Sequence, residues 1–66
     1  MNEVTQERLI RLPEVLLLTG LSRTAAYKKP DFPRPVKLGP RASAWRYSDV
    51  QAWIRSRIEA AAGREP

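Results

Sequence analysis

Pro30, Pro33, Pro35 and Pro40 fall within eleven consecutive positions near the middle of the chain. Proline lacks a backbone N–H, fixes φ, and pushes the residue before it out of the helical region. No regular helix can cross residues 30–41, so any helices are confined to the two flanks. Val36-Lys37-Leu38 alternates in the manner of a strand, and Gly39-Pro40-Arg41-Ala42 reads as a turn. Ser43-Ala44-Trp45-Arg46-Tyr47 reads as the return strand. Together these predict a β-hairpin with basic residues near its tip, and Phe32 is placed to anchor the segment to a core.

The flanks carry helix signals. Residues 1–7 are polar and predict a flexible N-terminal arm. Arg8 to Leu12 suits either a short strand or an extended arm. Pro13 fits the first position of a helix, and Glu14 places a negative charge in its first turn. Val15, Leu16 and Leu18 are expected to face inward with Leu12, and Gly20 supplies the positive φ of a helix end. Ser22 is a good N-cap for a second helix over Arg23 to Lys29, which Pro30 stops. Two helices joined by a tight glycine-containing turn form a helix-turn-helix. On the other flank, Ser48-Asp49-Val50-Gln51 matches a capping box. Val50, Trp53, Ile54 and Ile58 follow with helical spacing, and the Arg57 stem can cover the core edge. That helix is expected to run to about Ala62 and to end at Gly63.

The fold expected is mainly α with a small β-hairpin, a winged helix-turn-helix, over residues 8–62. A short tail, residues 63–66, follows. A chain of 66 residues without cysteine has no disulfide to staple it. It needs large side chains to build a core, and Trp45, Trp53, Phe32, Ile54 and Val50 are assigned to it.

Charge narrows the function. Residues 23–46 hold seven basic side chains against one acid, Asp31, while the rest holds five against six, giving the overall +5. The basic character is therefore local, and it falls on the second helix and the hairpin. Such a patch on a small domain is the footprint of a polyanion binder. There is no His or Cys, Ser22 and Ser48 read as caps, Glu14 and Asp49 read as helix-start residues, and no glycine-rich phosphate loop is present. An enzyme, a bound metal and a cofactor are not expected. No apolar run approaches the ~20 residues of a membrane helix. The N-terminus lacks a signal-peptide pattern, so a cytoplasmic protein with no membrane partner is expected.

Positions 23, 24, 27 and 28 share one face of the second helix, which would present Arg23, Thr24, Tyr27 and Lys28. In a helix-turn-helix the second helix meets base edges in the major groove. Arg23 can hold guanine, Thr24 can touch a base or phosphate, and Lys28 suits a phosphate. Tyr27 either joins that face or packs its ring on the hairpin. Lys37, Arg41, Ser43 and Arg46 are candidates for phosphate or minor-groove contact, the alternative being a solvated surface.

The ordered set Leu12-Pro13-Glu14-Val15, Thr19-Gly20-Leu21-Ser22-Arg23, Tyr27, Phe32-Pro33-Arg34-Pro35-Val36-Lys37-Leu38-Gly39, Trp45-Arg46 and Ser48-Asp49-Val50-Gln51-Ala52-Trp53-Ile54 resembles the AlpA-type phage regulatory proteins. The family is similar to the excisionase and MerR-like winged-helix DNA binders. The resemblance spans roughly residues 8–58. It implies sequence-specific binding to double-stranded DNA and a role in prophage transcription or excision. A lone domain of this size contacts few base pairs, so further copies of the chain side by side on DNA are expected as partners, and a phage integrase is the partner if the chain acts in excision. The segment from Tyr27 to Pro33 is shorter than is usual in the family, and Ala25 and Ala26 stand where larger residues are expected. The second helix is therefore expected to lose its last turn. Two alternatives remain: an excisionase that bends attachment-site DNA, and a protein-interaction module that docks an acidic partner through the basic surface and an exposed tryptophan.

Overall fold

A computed structural model of the chain describes residues 7–63. The part of the expected arm over residues 1–6, and residues 64–66 of the tail, lie outside the described residues. Leu9–Ile10 forms a strand, β1, which settles the choice left open at Arg8 to Leu12. Then come α1 (Leu12–Thr19), α2 (Arg23–Lys28), β2 (Val36–Gly39), β3 (Ala42–Arg46) and α3 (Tyr47–Gly63). Among the described residues this is a small α/β domain of three helices and one antiparallel sheet, with strand order β1-β3-β2. Leu9 pairs with Arg46 and Ile10 with Trp45, while Val36 pairs with Ala44 and Lys37 with Ser43. A register shift between Lys37 and Gly39 leads into the hairpin turn.

The turn between α1 and α2 is held by its own side chains. Gly20 adopts φ 76°, and its N–H donates to the Leu16 carbonyl at 2.8 Å. The Thr19 hydroxyl donates to the Val15 carbonyl at 2.8 Å and accepts the Leu21 N–H at 3.1 Å. Ser22 caps α2 as expected, its hydroxyl accepting the Ala25 N–H at 3.1 Å. The helix ends at Lys28, one residue early, because Lys29 precedes Pro30 and is already extended.

The core gathers Ile10, Leu12, Val15, Ala26, Phe32, Trp45 and Val50, with Trp53 and Ile54 packed against it. Trp45 is 1% exposed, and its indole N–H donates to the Pro33 carbonyl at 3.1 Å. The proline-rich segment is thereby tied to the central strand. Phe32 meets Trp53 edge-on, with ring centroids 5.0 Å apart. Arg57 lies over the Trp53 ring and reaches Asp31 at 3.7 Å, so its stem does cover the core edge.

Three expectations are corrected. Leu18 is 38% exposed rather than inward, because the buried stripe of α1 runs through Leu12 and Val15 to half-buried Leu16 and passes beside it. Ile58 is exposed, as is every residue from Arg55 to Gly63, because α3 outruns the sheet and α1 that cover its first turns. Ser48 is not a helix cap. α3 follows β3 without a linking turn and begins at Tyr47, and the Ser48 hydroxyl donates instead to the Glu7 carboxylate at 3.2 and 3.3 Å. No helix among the described residues is long and apolar enough to cross a membrane.

Candidate nucleic-acid interface

α2 is short, and one contact sets where it lies. The Tyr27 ring meets the Trp45 ring edge-on, with centroids 5.4 Å apart at 61°. Tyr27 therefore packs on the hairpin while remaining part exposed. Arg23, Thr24 and Lys28 are exposed on the same helix. Ser43 and Trp45 are two residues apart on β3 and point to one side of it. The hairpin turn thus continues outward from the Tyr27–Trp45 contact, carrying exposed Arg41 at its tip and Lys37 across from Ser43.

The carboxylates sort the cations. Glu14 pairs with Arg8 at 3.2 Å, Asp31 with Lys29 at 3.8 Å and with Arg57 at 3.7 Å, and Glu7 with Arg46 at 2.7 Å. Among the described residues, no carboxylate pairs with Arg11, Arg23, Lys28, Lys37 or Arg41. Arg46, assigned to the interface from sequence, lies at the end of β3 away from the hairpin tip. The hydrogen bond from Arg46 holds the Glu7 carboxyl below its ordinary value, against a smaller opposing effect of burial, and the Ser48 hydroxyl adds to the lowering. The same bond raises the Arg46 guanidinium.

One cleft collects three of the cations that have no carboxylate partner among the described residues. It encloses about 380 Å³ between the start of α1, α2 and the hairpin, and Arg11, Arg23 and Arg41 line it with Tyr27 and Ser43. Thus Arg23, Tyr27, Arg41 and Ser43 come together around one space, whereas Thr24 and Lys28 on α2 and Lys37 on β2 are exposed and do not line it. Arg11 was not singled out from the sequence. Its signal was chemical: it is the N-cap of α1, where an acceptor side chain is favoured and a positive charge is not. A larger groove, about 620 Å³, lies between residues 30–34 and α3. Its charged lining is Asp31, Asp49 and Arg34, a mixture that does not favour a polyanion. Among the described residues, no group of His, Cys, Asp or Glu is placed to hold a metal ion.

Comparison with known proteins gives a consistent family. The family model described as prophage CP4-57 regulatory protein (AlpA) matches residues 8–58. The chain is 47% identical over 66 residues to ORF88 of Enterobacteria phage P4, a protein described as uncharacterized, covering 96% of this chain and 72% of that one. It is 30% identical over 68 residues to the DNA-binding transcriptional activator AlpA of Escherichia coli K12, covering 89% of this chain and 97% of that one. No solved structure gives a significant match.

Proposed function

Because the chain belongs to the AlpA family of prophage regulatory proteins, we propose that it is a winged helix-turn-helix protein that binds double-stranded DNA sequence-specifically and regulates phage or prophage transcription. The observation that carries this reading is the grouping, on α2 and the hairpin, of cations that have no carboxylate partner among the described residues, these being the two elements a winged helix applies to DNA. The activator of Escherichia coli, named as a DNA-binding protein, supports it by similarity. In this reading α2 enters the major groove. Thr24 and Arg23 approach base edges or the backbone, Lys28 grips a phosphate, and Tyr27 steadies the helix against Trp45. Arg41, Lys37 and Ser43 hold the flanking backbone or minor groove. Arg46 stays with Glu7 and braces the junction of β1, β3 and α3.

The size of α2 bears on affinity. Six residues span about 9 Å at 1.5 Å per residue. One copy then reads only a few base pairs, and a tight complex calls for several copies side by side. The test is titration of the protein against its own upstream DNA and a scrambled duplex at several salt concentrations. Preference for the first, with log affinity falling by about 0.9 per log salt for each phosphate neutralised, is expected. Equal weak binding to both duplexes, or unchanged binding by both Arg23→Ala and Arg41→Ala, would sink the reading.

A further inference from the structure

We infer that the cleft between α1, α2 and the hairpin is a binding site for a single DNA-backbone phosphate, and that Arg11, outside the helix-turn-helix pair, is one of its ligands. The inference rests on the DNA-binding reading above and adds the residue and the chemical group.

Three arginines line one concave space, and no carboxylate lines it with them. Like charges around one space repel one another, and none of these three side chains pairs with a carboxylate among the described residues. An anion between them removes that repulsion, and a phosphate matches the planar, multi-donor geometry of arginine. The Ser43 hydroxyl on the same wall is a further donor.

Arg11 is the informative member because its backbone and its side chain do separate things. Its carbonyl accepts the N–H of Glu14 at 3.0 Å and of Val15 at 3.1 Å, which starts α1. Its side chain makes no cap hydrogen bond. Serine, threonine, aspartate or asparagine would cap this helix better, and a cation sits badly at the positive end of a helix. A residue that breaks a local rule without a local gain marks a functional position. The pairing of Ile10 with Trp45 fixes the neighbouring backbone on the sheet, so Arg11 is delivered to the cleft by a rigid element.

A phosphate contact contributes affinity and register but carries no base identity. This also gives Arg23 a second role, as one side of a phosphate clamp rather than only a reader of guanine.

The test compares wild type, Arg11→Gln and Arg11→Lys on the upstream and scrambled duplexes across a salt series, with circular dichroism melts of each free protein. Arg11→Gln should weaken binding to both duplexes by a similar factor, about tenfold, and lower the magnitude of the salt slope by about 0.9. Its melting temperature should not fall, since the backbone cap remains. Arg11→Lys should restore the slope while recovering only part of the affinity. Wild-type affinity and slope in Arg11→Gln would overturn the inference and leave the DNA-binding reading standing. Loss on the upstream duplex alone would overturn it in favour of base reading. Failure of the wild type to bind any duplex would overturn both.

Discussion

Trp45→Phe tests what holds the recognition elements together. The Trp45 side chain is 1% exposed, donates to the Pro33 carbonyl at 3.1 Å and receives the edge contact of Tyr27 at 5.4 Å. Phenylalanine keeps a ring in the core but loses the indole N–H and the equivalent of about two buried methylene groups. At ~0.8 kcal/mol per methylene the packing loss is about 1.6 kcal/mol. The lost hydrogen bond adds about 1 kcal/mol, and more if the Pro33 carbonyl finds no water. The total, about 2–4 kcal/mol, is large against the roughly 3–10 kcal/mol of stability expected for a domain of this size. It corresponds to a fall of roughly 10–25 °C in melting temperature. The substitution leaves Trp53 as the only tryptophan, so urea unfolding can be followed by its fluorescence and checked by circular dichroism. A loss of less than about 1 kcal/mol, with coincident transitions by both probes, would refute the view that Trp45 ties the proline-rich segment to the sheet.

Ser22→Ala should cost about 1 kcal/mol by removing the cap on the Ala25 N–H, read as a lower denaturation midpoint at unchanged slope. Gly20→Ala should cost about 1–2 kcal/mol from backbone strain alone, because φ is 76° and an added Cβ would meet nothing within 4 Å. Glu7→Gln should lower the melting temperature at neutral pH, and the gap from wild type should close in acid. The sign follows from a depressed carboxyl: its contribution is present above the ordinary glutamate value and is lost as pH falls through the folded-state one. A gap independent of pH would remove the Glu7–Arg46 pair as its cause. Arg41→Ala should reduce the salt slope of DNA binding more than Arg46→Ala, since Arg46 is already matched by Glu7. Equal reductions would return Arg46 to the interface.

The hairpin was legible because proline chemistry forbids the alternative and Val36 to Leu38 alternates. The bounds of α2 were legible because a cap residue, Ser22, and a breaker, Pro30, stand at either end. Periodicity was less informative at Leu18 and Ile58. It says which side of a helix is apolar, but not how far the partner surface extends, and α3 is longer than the surface that covers it. Ser48 was misread because a local pattern cannot register a competitor 41 positions away, the Glu7 carboxylate. The surroundings of Arg46 and Arg11 depend on one feature that the order of residues along the chain does not display. A count of charges along the chain treats every arginine as available, whereas the antiparallel pairing of β1 with β3 sets which arginine meets an acid and which reaches the cleft.

That pairing explains how a modest net charge can make a directed surface. Exposed ion pairs of the kind seen here add little to stability, so their consequence lies in where they sit. Glu14 neutralises Arg8 beside α1, Asp31 is shared between Lys29 and Arg57 where the loop meets α3, and Glu7 neutralises Arg46 where β1, β3 and α3 meet. Each pair stands at a junction between elements, and none stands on the exposed cations of α2 or on the hairpin tip. Arg11, Arg23, Lys28, Lys37 and Arg41 are left without a carboxylate partner among the described residues, as are Arg34 and Arg55 elsewhere, and three of these seven line a single cleft. Trp45, Tyr27 and Pro33 hold in place the elements that bear them. On the proposed function, a polyanion bound at that cleft would meet cations that no carboxylate among the described residues neutralises.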